Sequence, residues 1–147
     1  MGKGLLADDT GGWTVFLVDD DPDDLFMAER TFKDSPYVDN VVCVDGSADF
    51  LDQILNNDFF SETVVGMHKY LIVLDIHMPG LDGVELLTSL KDCYYIKNIP
   101  VFMLTSDVRT ELIAKTYDMN ADGYLLKPLN ENGLSHIHKV LEKRCAS

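Results

Sequence analysis

Tyr70-Leu71-Ile72-Val73-Leu74-Asp75 decides how the rest of the chain reads: five apolar residues in succession, with no alternation, closed by a carboxylate. A strand with one wet face alternates polar and apolar residues. A strand covered on both faces is apolar throughout, as in parallel sheets flanked by helices. Working outward, the same pattern recurs at Trp13 to Val18, Val41 to Val44, Val101 to Leu104 and Tyr124 to Leu126. Each run is short and rich in Val, Ile, Leu or aromatic residues.

A helix-spaced stretch follows every run. Leu25, Ala28 and Phe32 follow the first; Ala48, Leu51, Ile54 and Leu55 the second; Val84, Leu87 and Leu90 the third. Leu112, Ile113 and Tyr117 follow the fourth, and Leu134, Ile137 and Leu141 the fifth. Each set falls on one helix face. Asp21 before Pro22 reads as an N-cap and first helical residue, and Ser47 and Asn130 as caps of the second and fifth helices. Asn120 and Gly123 stand where the fourth helix should stop. Asp45-Gly46 reads as a turn plus cap with no chemistry. Five strand–helix units in series imply an α/β fold, a doubly wound parallel sheet with helices on both faces. Its site should lie outside the carboxyl ends of the strands.

The chain has 147 residues, enough for one sizeable core. Residues 1–12 read as a tail and 13–147 as the domain, with no output domain expected after the fifth helix. The formal charge of −13 repels nucleic acid and anionic lipid, so no nucleic-acid or membrane partner is expected. No apolar run reaches the roughly 20 residues of a membrane helix, and the N-terminus lacks a signal-peptide layout. A cytoplasmic location is the default. Cys43, Cys93 and Cys145 lie far apart without metal spacing and read as incidental thiols. His68, His136 and His138 read as surface residues. The connection Asn56 to Lys69 is either a helix extension or a surface loop.

The ends of the runs carry the chemistry. Run one ends in Asp19-Asp20, run three in Asp75, run four in Thr105-Ser106 and run five in Lys127. All should emerge at one edge of the sheet. Three carboxylates so close repel one another unless a cation neutralises them, and oxygen ligands suit Mg²⁺. Open coordination positions would admit water and a phosphate oxygen. Lys127 would add positive charge and Thr105 a hydrogen bond, which is electrostatic and positional catalysis of phosphoryl transfer. Taken singly, each of these residues has a blander reading: a solvated helix N-terminus, a strand end, a cap. Their joint occurrence at four strand ends shifts the balance.

Val18-Asp19-Asp20-Asp21, Leu71-Ile72-Val73-Leu74-Asp75, Met78-Pro79-Gly80-Leu81-Asp82-Gly83, Leu104-Thr105-Ser106 and Gly123-Tyr124-Leu125-Leu126-Lys127-Pro128 resemble the receiver domains of two-component response regulators, in order and spacing, from about Trp13 to about Leu141. The resemblance is to single-domain, chemotaxis-type regulators. It implies a flavodoxin-like sheet of order 2-1-3-4-5. By position Asp75 resembles the phosphoacceptor. Asp19 and Asp20 resemble the acidic pair that holds Mg²⁺, with Asp20 favoured as direct ligand. The His77 backbone carbonyl would be a further ligand. Thr105 and Lys127 would contact the phosphoryl group, and Tyr124 matches an aromatic that turns inward on activation. His77 and Asp107 occupy positions that tune phosphoryl lifetime in the family. Lys127-Pro128 matches a cis peptide of the relatives.

The resemblance also implies a sensor histidine kinase or histidine phosphotransfer protein as donor. It implies a separate downstream target, and a switching face on helix four, strand five and helix five that could also form a homodimer. Such a domain is not an enzyme acting on a separate substrate; it promotes its own phosphorylation and dephosphorylation. A docking module without phosphorylation conflicts with the full acidic, hydroxyl and lysine set. A Mg²⁺-dependent phosphatase would want a substrate cap and a second Asp two residues after Asp75, where His77 stands. A nucleotide-binding flavodoxin-like protein would want a Gly-rich loop where Asp19 to Asp24 stands.

Overall fold

The computed structural model of the protein describes residues 12–55, 69–94 and 96–146. The proposed tail before Gly12 and the connection up to His68 lie outside the described residues, as do the side chains of Ile54, Leu55 and Cys145.

The elements alternate strictly: β1 Trp13–Asp19, α1 Pro22–Lys33, β2 Val38–Asp45, α2 Gly46–Leu55, β3 Tyr70–Leu74, α3 Gly83–Asp92, β4 Val101–Thr105, α4 Thr110–Asp118, β5 Gly123–Leu126 and α5 Glu131–Ala146. All strand pairs are parallel, in the order β2-β1-β3-β4-β5. This is the expected doubly wound sheet, with β1 and β3 at its centre.

Successive side chains point to opposite faces, so an unbroken apolar run feeds two cores at once. Phe16, Val18, Ile72, Leu74, Val101 and Met103 join Phe50 of α2 and Leu86, Leu87 and Leu90 of α3 on one face. Val15, Leu17, Leu71, Val73, Phe102 and Leu104 join Ala28 and Phe32 of α1 and Leu134, Ile137 and Leu141 of α5 on the other. Burying one such Leu or Phe stabilises the fold by about 1.5–3 kcal/mol, which explains why the three inner runs, β1, β3 and β4, are legible.

Most caps form as expected. The Asp21 carboxylate accepts from the backbone N–H groups of Asp23 (2.9 Å) and Asp24 (3.3 Å), with Pro22 opening α1. Asn130 Oδ1 accepts from Gly133 N (3.0 Å). Past α4, Asn120 takes a left-handed conformation, φ 69°, and stops the helix. Gly46, φ 86°, makes the β2–α2 turn.

Three expectations shift. β2 starts at Val38, three residues earlier than its apolar run, because an edge strand tolerates Asp39 and Asn40 facing water. Ser47 lies inside α2, and its hydroxyl donates to the Leu81 carbonyl (2.5 Å), tying α2 to the loop after β3. On α4, Tyr117 is 46% exposed and Thr116 is the buried residue. Thr116 satisfies its hydroxyl within the helix, donating to Ile113 O (2.9 Å), so it can sit in the core where the larger Tyr117 does not.

Candidate acidic phosphoryl-acceptor site

The strand registers bring the site together. Val18 lies opposite Leu74, so Asp19 and Asp75 leave their strands at one level. Leu74 pairs with Met103, and Thr105 with Leu126, which places Thr105 and Lys127 at the same carboxyl edge. Lys127 N donates to Thr105 O (2.9 Å), fixing the lysine backbone beside β4. The Lys127-Pro128 peptide is cis.

Asp19 and Asp75 are each only 7% exposed, and Asp20 lies further toward solvent. One carboxylate oxygen from each of Asp19, Asp20 and Asp75 falls within 4.8 Å of the others. Burial pushes the Asp19 carboxyl above the ordinary aspartate range, and the Asp75 charge adds to the push, while Lys127 and the Asp21 N–H group pull it back. Repulsion and desolvation outweigh the compensation that the protein itself supplies. Such a trio of hard oxygen donors fits a divalent cation of the Mg²⁺ type.

Lys127 Nζ donates to Asp19 Oδ2 (2.7 Å), Asp24 Oδ2 (2.7 Å) and Asp75 Oδ2 (3.1 Å). Burial works against its charge, but the three carboxylates more than offset that and hold it well above the ordinary lysine range. It is charged throughout the neutral range. An ammonium has three protons to donate, and here every one goes to a carboxylate. Asp24 belongs to this group although its sequence position reads only as helix-terminus acidity. The signal that could have found it is positional: α1 opens at the same sheet edge, so its first turn faces the site.

Backbone geometry holds Asp75 in place. Asp75 N donates to Val18 O (3.0 Å), and Gly83 N donates to Ile76 O (2.8 Å). A Cβ on Gly83 would stand 2.1 Å from the Asp75 carbonyl oxygen, so only glycine lets α3 start this close to Asp75. Gly80, φ 78°, turns the intervening loop. The motif from Met78 to Gly83 is therefore a device for seating α3 under Asp75. Asp82 caps that helix, accepting from Glu85 N (2.9 Å), while Glu85 Oε1 accepts from Asp82 N (3.2 Å).

A second cluster borders the first. His77 Nε2 lies 2.6 Å from Asp107 Oδ2, and Arg109 Nη2 donates to the same oxygen (2.7 Å). Arg109 foremost, with His77, holds the Asp107 carboxyl far below the usual range. The His77 ring thus points to the loop after β4, as expected if its carbonyl and not its ring serves the cation. Thr105 is buried, with Oγ1 accepting from Asp107 N (3.4 Å). Tyr124 is half-buried, with its hydroxyl donating to Asp107 O (2.8 Å). The sequence pointed to Thr105, Tyr124, His77 and Asp107 separately; Asp107 connects them, and Arg109 is an addition. Among the described residues no hydrogen bond joins Thr105 to Asp75 or to the Lys127 ammonium. Two of the four histidines also depart from the surface reading in part. His138 is half-buried against Tyr37 and Ser35, and His136 is exposed but sets its ring edge-on to Phe102. His68 lies outside the described residues.

Residues 15–139 match the family model of the response regulator receiver domain. The chain belongs to this family. Receiver domains of two-component systems generally take a phosphoryl group on an aspartate and bind Mg²⁺ in an acidic pocket. This receiver domain is 45% identical over 85 residues to a probable transcriptional regulator, ycf29, of Pyropia yezoensis, covering 57% of this chain and 38% of the relative. It is 30% identical over 73 residues to the chemotaxis protein CheY-3 of Vibrio cholerae, covering 49% of this chain and 56% of the relative. The chain thus spans less than two thirds of these curated relatives. A two-component response regulator of Cytophaga hutchinsonii superposes with a TM-score of 0.74 at 29% identity, covering 90% of this chain and 98% of that one. Among the described residues no helix is long and apolar enough to cross a membrane.

Proposed function

We propose that this receiver domain, residues 13–147, accepts a phosphoryl group on Asp75 from a phosphohistidine of a sensor histidine kinase or histidine phosphotransfer protein. The observation that carries the reading is the Asp19, Asp20 and Asp75 cluster, with the Lys127 ammonium bonded to two of its three carboxylates. Asp19, Asp20 and Asp75, with the His77 carbonyl, would hold Mg²⁺, which would supply charge neutralisation to the carboxylates and to the transferring group. Lys127 would orient and neutralise the phosphoryl oxygens, and Thr105 would donate its hydroxyl to one of them. Asp75 is the nucleophile; its carboxylate oxygen forms the bond to phosphorus while the imidazole nitrogen of the donor leaves.

The gain of charge changes what Thr105 and Tyr124 contact. Because Tyr124 is tied to the β4–α4 loop through Asp107 O, that change reaches the face formed by α4, β5 and α5. Val108, Tyr117 and Leu126 are exposed apolar residues in or next to these elements and would meet a separate downstream protein, a relay partner or a second copy in a homodimer. The domain works in the cytoplasm, promotes its own phosphorylation and dephosphorylation, and acts on no separate substrate.

Intact mass after incubation with acetyl phosphate tests this reading. Wild type should gain one phosphoryl group with Mg²⁺ and none with EDTA, and Asp75→Asn should gain none. Equal labelling of wild type and Asp75→Asn would sink the assignment of the acceptor.

A further inference from the structure

We propose that Asp24 is a positioning residue for Lys127: it holds the ammonium at the site while Asp19 and Asp75 turn to other partners. This rests on the reading of Asp75 as phosphoacceptor. Lys127 has three protons and three carboxylate partners, at 2.7, 2.7 and 3.1 Å. Two of those partners, Asp19 and Asp75, are also members of the clustered trio that suits a cation, and Asp75 is the group that must bond to phosphorus. In the charged site both have oxygens committed elsewhere. Among the described residues Asp24 is the one carboxylate partner of Lys127 outside that trio, so its hold on the ammonium survives the change.

The placement of Asp24 is built in. It lies in the first turn of α1, with its backbone N–H donating to the Asp21 cap (3.3 Å), so its position is set by the helix and not by whatever occupies the site. Its side chain is 36% exposed against 15% for Lys127, so Asp24 holds the ammonium from the solvent side of the site. A free lysine stem samples many rotamers, and fixing it costs entropy. An anchor that keeps one ammonium proton engaged leaves the other two directed into the pocket and spares the transfer step much of that ordering. Asp23 provides an internal comparison: it has the same charge in the same helical turn and bonds to the same cap, with no ion pair to Lys127.

The test compares wild type, Asp24→Ala and Asp23→Ala in the rate of phosphoryl uptake from phosphoramidate at saturating Mg²⁺, followed by intact mass. Asp24→Ala should slow uptake about tenfold, equivalent to about 1.4 kcal/mol, and Asp23→Ala should leave it unchanged. In a Lys127→Met background, Asp24→Ala should slow uptake no further. The Nζ signal of Lys127, followed by nitrogen NMR at saturating Mg²⁺ with no phosphoryl donor, should broaden in Asp24→Ala and stay sharp in Asp23→Ala. This reads the anchoring without any phosphoryl chemistry. Asp24→Asn, uncharged and of the same shape, replaces the alanine variant should that one unfold. Equal rates for the two alanine variants, faster uptake in Asp24→Ala, or an undisturbed Nζ signal would overturn the role of Asp24 alone. A wild type that takes up no phosphoryl would overturn the reading of Asp75 and this one with it.

Discussion

Replacing Lys127 by Met keeps the methylene stem and deletes the charge, and it should destabilise the cation-free protein markedly. Asp19 and Asp75, each 7% exposed, would lose the ammonium that bonds to both. What remains is burial and mutual repulsion, the two influences that already raise the Asp19 carboxyl. Removing one partner of a buried ion pair costs about 3–5 kcal/mol, because the other charge stays behind. This site opens to solvent through Asp20 and Asp24, so the lower end applies, about 3 kcal/mol. For a domain of this size that corresponds to a melting temperature lower by about 6–12 °C. Urea unfolding near neutral pH in EDTA measures it directly. Saturating Mg²⁺ should then narrow the gap, because a cation on the same carboxylates takes over the neutralising role. Mg²⁺ stabilises both proteins, and at saturation the gap narrows by about 1.4 kcal/mol for each tenfold tighter binding once Lys127 no longer competes for the carboxylates. If the variant is as stable as wild type in EDTA, Lys127 is not what holds the carboxylates together. If Mg²⁺ leaves the gap unchanged, the trio is not where the cation binds.

Two further outcomes follow from the frame around the site. Gly83→Ala should cost about 1–3 kcal/mol from overpacking against the Asp75 carbonyl and weaken Mg²⁺ binding; if it raises stability instead, as helix propensity alone would have it, the close approach of α3 is not real. His138, half-buried against Tyr37 and Ser35, has its imidazole pushed below the usual value by burial, with Glu142 opposing. A depressed value favours the neutral ring in the folded state, so its contribution is present above the usual imidazole range and lost as pH falls through the folded value. Chemical denaturation of wild type and His138→Asn at neutral and mildly acidic pH should show wild type losing more stability on acidification, and parallel curves would remove His138 from the acid response.

The sequence disclosed most where one physical rule acted alone. Residues such as Ile72 and Leu74 must be apolar because both faces of their strand are covered, so β1, β3 and β4 were visible, and with them the level at which Asp19, Asp75 and Thr105 emerge; edge strand β5 was visible from its short apolar run before Lys127. Edge strand β2 escaped in part because Asp39 and Asn40 need no cover, and Tyr117 misled because helical spacing cannot tell which of two adjacent residues faces inward. The site was legible as a set of strand ends and illegible as a network. That Asp24 reaches Lys127, or that Asp107 gathers His77, Arg109 and Tyr124, depends on how far the start of α1 and the loop after β4 lean over the sheet edge. No spacing rule encodes that lean. It has a functional corollary. Residues at strand ends fix which chemistry the pocket can perform, since their level is set by the sheet. Residues contributed from the helix start and the loop set how firmly each reacting group is held, and they can vary without disturbing the strands.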